Sequence, residues 1–185
     1  MDAGKEKRAA RRAARETLAE IGPDRWLEIS LSVCRRLADA PEYLRAKSVF
    51  CFVGFGAEID TRPFLRRVLG DGKTLYVPRC RAGGEMDAVM ITGEDALSPG
   101  MFGIPEPPAS FPAGEKSAVD LAVVPCLAAD AEGRRLGRGG GYYDRFLRDF
   151  GGMTLLVCPE KLLWPRVPVE AWDRACGRVI TEDRG

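Results

Sequence analysis

One short stretch of the chain concentrates residue types that suit a phosphorylated ligand, Gly137-Arg138-Gly139-Gly140-Gly141-Tyr142-Tyr143-Asp144. Glycine loses more chain entropy on ordering than any other residue, so four glycines within five positions indicate more than a turn. Backbone without Cβ atoms approaches a ligand closely, and successive N–H groups can cradle an anion. The Arg138 guanidinium suits phosphate, and the Asp144 carboxylate suits Mg²⁺ held between phosphates. The stretch therefore predicts a phosphate site.

Two familiar glycine-rich motifs do not match this stretch. A P-loop ends in Gly-Lys followed by Ser or Thr, and no lysine follows these glycines. Gly137, Gly139 and Gly141 give GxGxG, whereas a dinucleotide fingerprint requires GxGxxG. The remaining alternative is a flexible turn with Tyr142 and Tyr143 packed in the core. The order of strand, loop, arginine, glycine cluster and helix favours the phosphate site.

A second group of basic residues occupies the start of the chain. Residues 4–21 are rich in good helix formers and predict an N-terminal helix. Lys7, Arg11 and Arg15 are spaced four apart, so they share one face of it. Residues 1–15 hold six Lys and Arg against two acids. Such a face is often simply solvated, and it also suits one phosphate chain.

The chain of 185 residues contains no histidine. This excludes Ser-His-Asp and Cys-His catalysis, HExxH zinc sites and any imidazole base. The 28 Lys and Arg balance 27 Asp and Glu, so no global field selects a polyanionic partner. An RNA-binding role for the basic helix is disfavoured because no aromatic residues are interleaved with its arginines.

Cysteine usage favours a reducing compartment. Six cysteines stand at positions 34, 51, 80, 126, 158 and 176, with neither CxxC nor zinc-ligand spacing. Several lie in apolar runs, as small buried residues do. No apolar segment of the signal-peptide type follows the basic start, and the longest apolar stretch, Leu121–Ala129, is too short to span a bilayer. We expect a cytoplasmic protein that binds neither membrane nor nucleic acid.

Strands and helices alternate along the chain. Apolar runs predict strands at 48–53, 75–77, 87–92, 119–124, 153–157 and 178–181. Helical spacing predicts helices at 4–21, 25–38, 62–69 and 140–150, with Asp24 and Thr61 as N-caps. Residues 93–118, rich in Gly, Pro and Ser, predict an irregular excursion.

This alternation predicts one α/β domain spanning residues 1–185, with three layers. Its sheet should be mostly parallel and flanked by helices on both faces. Ligands of such sheets bind at the carboxyl ends of the strands, which here are the segments after Val53, Val77 and Val124.

The sequence resembles the signature of the 5-formyltetrahydrofolate cyclo-ligase (5,10-methenyltetrahydrofolate synthetase) family. The signature covers residues 120–125, Asp130, Gly133 and residues 135–145. Further similarity extends the resemblance from about residue 5 to residue 182, at 7–11 with Arg15, 58–61, 77–79, 103–107 and 167–168.

The resemblance implies an enzyme that uses Mg-ATP to close a ring in 5-formyltetrahydrofolate. In the family the formyl oxygen attacks the γ-phosphate of ATP and gives an iminophosphate. N10 of the folate then closes the ring, and phosphate leaves to yield 5,10-methenyltetrahydrofolate. The substrate supplies its own nucleophile, which agrees with a chain lacking histidine. We expect a monomer or a weak dimer.

The resemblance also implies roles for individual residues. The implied ATP site comprises Lys7, Arg8, Ala9, Ala10, Arg11, Arg135, Leu136, Gly137, Arg138, Gly139, Gly140, Gly141, Tyr142 and Tyr143. Within it, Arg138 and Tyr143 are the implied catalytic residues, and Asp144 is the implied Mg²⁺ ligand. For the folate, Val53 would line the pocket and Glu58 would hydrogen-bond the pterin.

Three positions depart from the family pattern. Cys80 stands where an aromatic residue is common, and Leu162 stands near a common glutamine. Gly177 stands where family members often carry an aspartate, with Asp173 four residues away. These departures leave an alternative open, a divergent paralogue that binds nucleotide or folate without catalysis.

Overall fold

The computed structural model describes residues 3–185, and Met1 and Asp2 lie outside it. The α-helices within this part of the chain are α1 (Ala3–Ala19), α2 (Pro23–Asp39), α3 (Pro41–Arg45), α4 (Arg62–Gly70) and α5 (Tyr142–Arg148). The strands are β1 (Ser48–Cys51), β2 (Thr74–Cys80), β3 (Met86–Ile91), β4 (Ser98–Pro99), β5 (Pro105–Glu106), β6 (Ala113–Gly114), β7 (Leu121–Pro125), β8 (Ala128–Ala129), β9 (Arg135–Leu136), β10 (Met153–Val157) and β11 (Arg178–Ile180).

The central sheet has seven strands in the order β11-β10-β7-β1-β2-β3-β6. Neighbouring strands from β11 to β2 are parallel. The strands β3 and β6 extend the sheet in antiparallel pairing beyond β2. Two antiparallel ribbons, β4–β5 and β8–β9, lie outside it. The predicted mostly parallel sheet is therefore confirmed.

Side chains of β7 alternate between the two faces of the sheet, as the period of two requires. Leu121 and Val123 pack in a first core with residues of α2, α3 and α4. Ala122 and Val124 pack in a second core with residues of α1 and α5. Helices thus cover both faces, which confirms the three-layer prediction.

Of the two predicted N-caps, Asp24 is wrong, whereas Thr61 takes the predicted cap position without using its hydroxyl as a cap. Gly22 occupies the cap position of α2, and Asp24 lies inside the first turn. Thr61 precedes α4 but makes no side-chain cap bond. Its hydroxyl donates to the carbonyl of Phe52 at 2.6 Å and accepts the N–H of Gly54 at 3.1 Å. This hydroxyl ties the chain after β1 to the start of α4.

Most other element boundaries differ from the predictions by a few residues, and α3 was not predicted. The last helix begins at Tyr142 rather than at residue 140, because Gly141 has φ +70° and stands outside helical geometry. Within the described residues, every helix is too short or too polar to cross a bilayer. All six cysteines are free thiols, and four of them are buried.

Candidate active site at the carboxyl edge of the sheet

A cavity of about 560 Å³ opens at the carboxyl ends of β1, β2 and β7, as predicted for this fold. These strand ends contribute Phe52, Val53, Phe55, Glu58, Pro78, Cys80, Pro125 and Cys126. The other lining residues are Lys7, Arg11, Met86, Phe102, Ile104, Glu106, residues 135–144, Glu170, Trp172 and Asp173. One cavity therefore contains most of the residues predicted for nucleotide, metal and folate.

The glycine loop, residues 137–141, forms one wall of the cavity. Gly139 and Gly141 have φ of +109° and +70°, in the region that favours glycine. Among the described residues, the backbone N–H groups of this loop donate to no protein acceptor. The Arg11 Nε donates to the Gly137 carbonyl at 2.9 Å and holds the loop against α1. The loop is thus a nest of open donors that suits an anion.

The helix α1 brings two cations to the cavity. Lys7 is buried, and its Nζ lies 2.6 Å from Glu170 Oε2 and 2.5 Å from Asp173 Oδ2. Burial lowers the pKa of Lys7, but the bonds to Asp173 and Glu170 raise it more, so the net pKa is raised. Lys7 therefore stays charged at neutral pH.

The other predicted residues of α1 lie away from the cavity. Arg8 and Ala9 are exposed, whereas Ala10 packs against the second core. Leu136 lines the cavity and is buried in that core, where it completes β9.

The predicted metal ligand Asp144 carries an ion pair. Its Oδ1 accepts a bond from the guanidinium of Arg135, which also donates to the Arg174 carbonyl. Arg135 is nearly inaccessible, whereas the Asp144 side chain retains 30% exposure. The buried arginine thus orients a carboxylate that remains open to the cavity. The described residues contain no group of three acidic or cysteine side chains that could hold a metal.

Glu58 and Arg138 bind each other. Arg138 Nε donates to Glu58 Oε1 at 2.9 Å, and the Phe55 N–H donates to the other carboxylate oxygen at 3.2 Å. Burial raises the pKa of Glu58, and Arg138 only partly offsets that effect. The pair joins the glycine loop to the segment after β1.

The two tyrosines at the start of α5 differ in their surroundings. Tyr143 packs against both cores and lines the cavity. Burial raises the pKa of Tyr143 well above its usual value, so its hydroxyl remains a proton donor at neutral pH. Tyr142 lies at the mouth, where its hydroxyl donates to Met101 Sδ at 3.6 Å and its ring meets Phe102 edge-on.

Sequence reasoning missed several cavity residues. Glu106, Phe102, Glu170 and Trp172 were not singled out, and Asp173 was considered only as a replacement at Gly177. The sequence offered one signal for Glu106, which is the only carboxylate within residues 103–107, a segment that resembles the family pattern. The partners of Lys7 had no local signal, since they lie 163 and 166 residues away.

The mostly parallel sheet makes the chain an α/β protein. The cleft at one edge of this sheet combines a loop of open backbone N–H groups, which suits an anion, with an apolar pocket, which suits a ring. The family model of the 5-formyltetrahydrofolate cyclo-ligase family matches residues 3–182. The chain belongs to this family, which confirms the resemblance inferred from its motifs.

Three known proteins similar to the chain match it over more than nine-tenths of its length. The NMR structure of Aquifex aeolicus 5,10-methenyltetrahydrofolate synthetase superposes with a TM-score of 0.85 at 30% identity, covering 96% of this chain and 90% of that one. The Mus musculus 5-formyltetrahydrofolate cyclo-ligase is 26% identical over 190 residues, covering 96% of this chain and 94% of its own. The enzyme of that name from Escherichia coli K12 is 26% identical over 176 residues, covering 92% and 97%.

Proposed function

We propose that the chain converts 5-formyltetrahydrofolate and ATP into 5,10-methenyltetrahydrofolate, ADP and phosphate, with Mg²⁺. One observation carries this proposal. A single cavity joins an anion-binding end, formed by Arg11 and the open N–H groups of the glycine loop, to a wall that contains Val53 and Glu58. The reaction requires that juxtaposition, because the phosphoryl group passes directly to the folate. The names of the relatives support the same activity.

At the nucleotide end, this chain offers the Arg11 guanidinium and open donors. Arg11 neutralises phosphate charge, and the N–H groups of residues 137–141 bind phosphate oxygens. Lys7 adds its charge once it leaves Glu170 and Asp173. Arg138 is exposed over half of its side chain and reaches the transferring group once it leaves Glu58. These groups are already oriented in the free protein by the bond from Arg11 to the loop.

The donor set agrees with a Mg²⁺ ion bound mainly through phosphate. Such an ion neutralises charge on the phosphate oxygens and usually takes only one or two protein carboxylates. Asp144 is the fitting side chain, since it is partly exposed beside the loop. Arg135 holds this carboxylate in place by donating to one of its oxygens.

At the folate end, Val53 forms an apolar wall, and Glu58 accepts a hydrogen bond from the pterin after Arg138 turns to phosphate. The Tyr143 hydroxyl donates a hydrogen bond near the reacting atoms, because burial keeps this hydroxyl protonated. Arg8, Ala9 and Ala10 were also implied as nucleotide contacts. They remain predictions, with Arg8 and Ala9 on the exposed side of α1 and Ala10 against the second core.

The location of the departures favours catalysis over the non-catalytic alternative. Leu162 is fully buried in the second core, and the Gly177 N–H donates to Thr154 Oγ1 at 2.7 Å at the start of β11. Neither residue lines the cavity, whereas Cys80 does. The changes therefore alter one wall of the pocket and leave the phosphate end intact.

We further propose that residues 1–185 act as one cytoplasmic domain, as a monomer or weak dimer, without a nucleic-acid partner. The balanced charge and the free cysteines support this proposal. Light scattering across a concentration series, with and without RNA, tests it.

The decisive experiment mixes the chain with Mg-ATP and 5-formyltetrahydrofolate. We expect near-ultraviolet absorbance of the methenyl product to rise with an equimolar release of ADP. A non-hydrolysable ATP analogue should give no signal. Ligand-induced thermal stabilisation of folded protein without any product would contradict the proposal and favour the binding-only alternative.

A further inference from the structure

The cavity wall contains a buried carboxylate, Glu106, for which the roles above provide no use. Glu106 lies at the end of β5 and is 5% exposed. One of its oxygens accepts the Cys80 N–H at 3.2 Å, and the other accepts the Met101 N–H at 3.3 Å. None of the ion pairs formed within residues 3–185 includes it.

This environment does not fully compensate a buried carboxylate. Acidic side chains are rarely buried without a paired charge, because desolvation of the ion is costly. The two neutral N–H bonds are long, and each carboxylate oxygen has room for a second donor. The neighbouring Cys80 thiol does not replace a cation, since burial and Glu106 raise the pKa of that thiol to about 12. Acceptor capacity therefore remains on the cavity wall.

A purely structural role does not require the charge. The two bonds fasten the turn at residues 100–103 to β2, but any neutral acceptor would do so at a lower desolvation cost. The carboxylate is the better choice where a ligand brings two N–H donors side by side, because its two oxygens accept both at once.

We propose that Glu106 binds the ring edge of the folate that carries the N3–H and 2-amino donors. These adjacent donors match the two oxygens of one carboxylate. This inference rests on the proposed function and makes Glu106 a specificity residue for ligands with a 2-amino-4-oxopyrimidine edge. Glu58, which lies on the Arg138 side of the cavity, would then accept a hydrogen bond from another donor of the ring.

The test measures binding of 5-formyltetrahydrofolate and of its 2-desamino-2-methyl analogue to the full chain in the absence of ATP. We expect the wild type to bind the analogue roughly 10- to 100-fold more weakly, the usual range for hydrogen bonds to a charged group. In Glu106→Gln this preference should fall below about threefold. The control Glu94→Gln changes the partly exposed partner of Arg66, which does not line the cavity, and should keep the preference.

A second variant displaces the same carboxylate without changing Glu106 itself. A Cβ at Gly100 would overlap the Glu106 carboxyl group, so Gly100→Ala should displace it and reduce the preference. This variant decides the question if Glu106→Gln does not fold.

The outcomes separate this inference from the proposed function. Equal weakening of both ligands in Glu106→Gln would mean that Glu106 only positions the turn, which overturns the inference. A preference that survives in Glu106→Gln but disappears in Glu58→Gln would assign the edge to Glu58 and overturn it as well. A wild type that neither binds 5-formyltetrahydrofolate nor forms product would defeat both proposals together.

Discussion

The Arg138 guanidinium and the Glu58 carboxylate meet at 2.9 Å, although 80 residues separate them in the chain. Each was predicted to bind a different ligand, yet in the free protein each neutralises the other. The proposed function therefore predicts that ligand binding exchanges this ion pair for two new interactions, a phosphate with Arg138 and a pterin N–H with Glu58.

Glu58→Gln should make the protein more stable and less active. Burial raises the pKa of Glu58, so the folded chain binds its proton more tightly than the unfolded chain does. The free energy of unfolding then falls as pH rises through the window from 4.5 to the raised value. We expect the variant to melt above the wild type at neutral pH, with the difference shrinking toward pH 4.5. Thermal melts across pH measure this, and a less stable variant at neutral pH would refute it.

Gly140→Val should weaken ATP binding without unfolding the chain. A Cβ at Gly140 would lie 2.9 Å from the Tyr142 ring, so the added side chain must displace the ring or enter the phosphate path. We expect KM for ATP to rise about tenfold or more, a loss of about 1.4 kcal/mol, with KM for folate little changed. Gly151→Val is the control, because a Cβ there meets nothing within 4 Å. An unchanged KM for ATP would remove the loop from the phosphate site.

Lys7→Gln should reduce both stability and nucleotide affinity. It leaves Glu170 and Asp173 without their cation, at a cost of about 1–2 kcal/mol after allowance for solvent screening. The pKa of Lys7 is raised above 10.5, so its stabilising effect is present below that pH and is lost as pH rises through the raised value. Urea denaturation and KM for ATP measure the two effects. The exposed Arg15 on the same helix gives the matched control Arg15→Gln, and equal losses in both variants would contradict a specific role for Lys7.

Asp144→Asn should shift the magnesium requirement. The change removes the proposed Mg²⁺ ligand and deprives the buried Arg135 of its carboxylate partner. We expect a higher Mg²⁺ concentration for half-maximal activity and a smaller Mg²⁺-dependent thermal shift with ADP. Arg135→Met keeps the carboxylate but removes the guanidinium that orients it, so we expect it to lower stability with a smaller shift in the magnesium requirement than Asp144→Asn gives. A magnesium titration identical to wild type would show that Asp144 serves only Arg135.

Gly84→Ala should disturb the glycine loop from a distance. Arg145 Nη1 donates to the carbonyls of Gly140 at 2.8 Å and Gly84 at 3.2 Å, so it clamps the loop to the β2–β3 turn. A Cβ at Gly84 would overlap this guanidinium, whereas one at Gly83 meets nothing, and both glycines have φ +80°. We expect KM for ATP to rise more in Gly84→Ala than in Gly83→Ala. Equal effects would attribute the change to backbone strain alone.

Local sequence patterns predicted the sheet and the glycine loop, because the conformations of both depend mainly on residues that are neighbours in sequence. The strand Met153–Val157 was predicted with its observed boundaries, and the alternation along β7 is visible in its apolar run. The glycine cluster was informative for the same reason, since its conformational freedom is a property of the residues themselves.

Interactions between distant segments were not predictable from such patterns. Asp24 and Thr61 are ordinary cap residues by sequence, but Thr61 instead bonds the backbone after β1. The ion pairs of Lys7 and the burial of Glu106 depend on which loops meet at the sheet edge. No spacing in the sequence encodes that meeting.

The ion pair between Lys7 and Glu170 has a consequence for biosynthesis. Its partners are 163 residues apart, so at about 5–20 residues per second Lys7 precedes Glu170 by roughly 8–30 s during translation. For that interval α1 exists without the acidic segment that later holds its lysine. The part of the cleft that Glu170 completes is thus synthesised late, after six of the seven strands of the central sheet and before only β11.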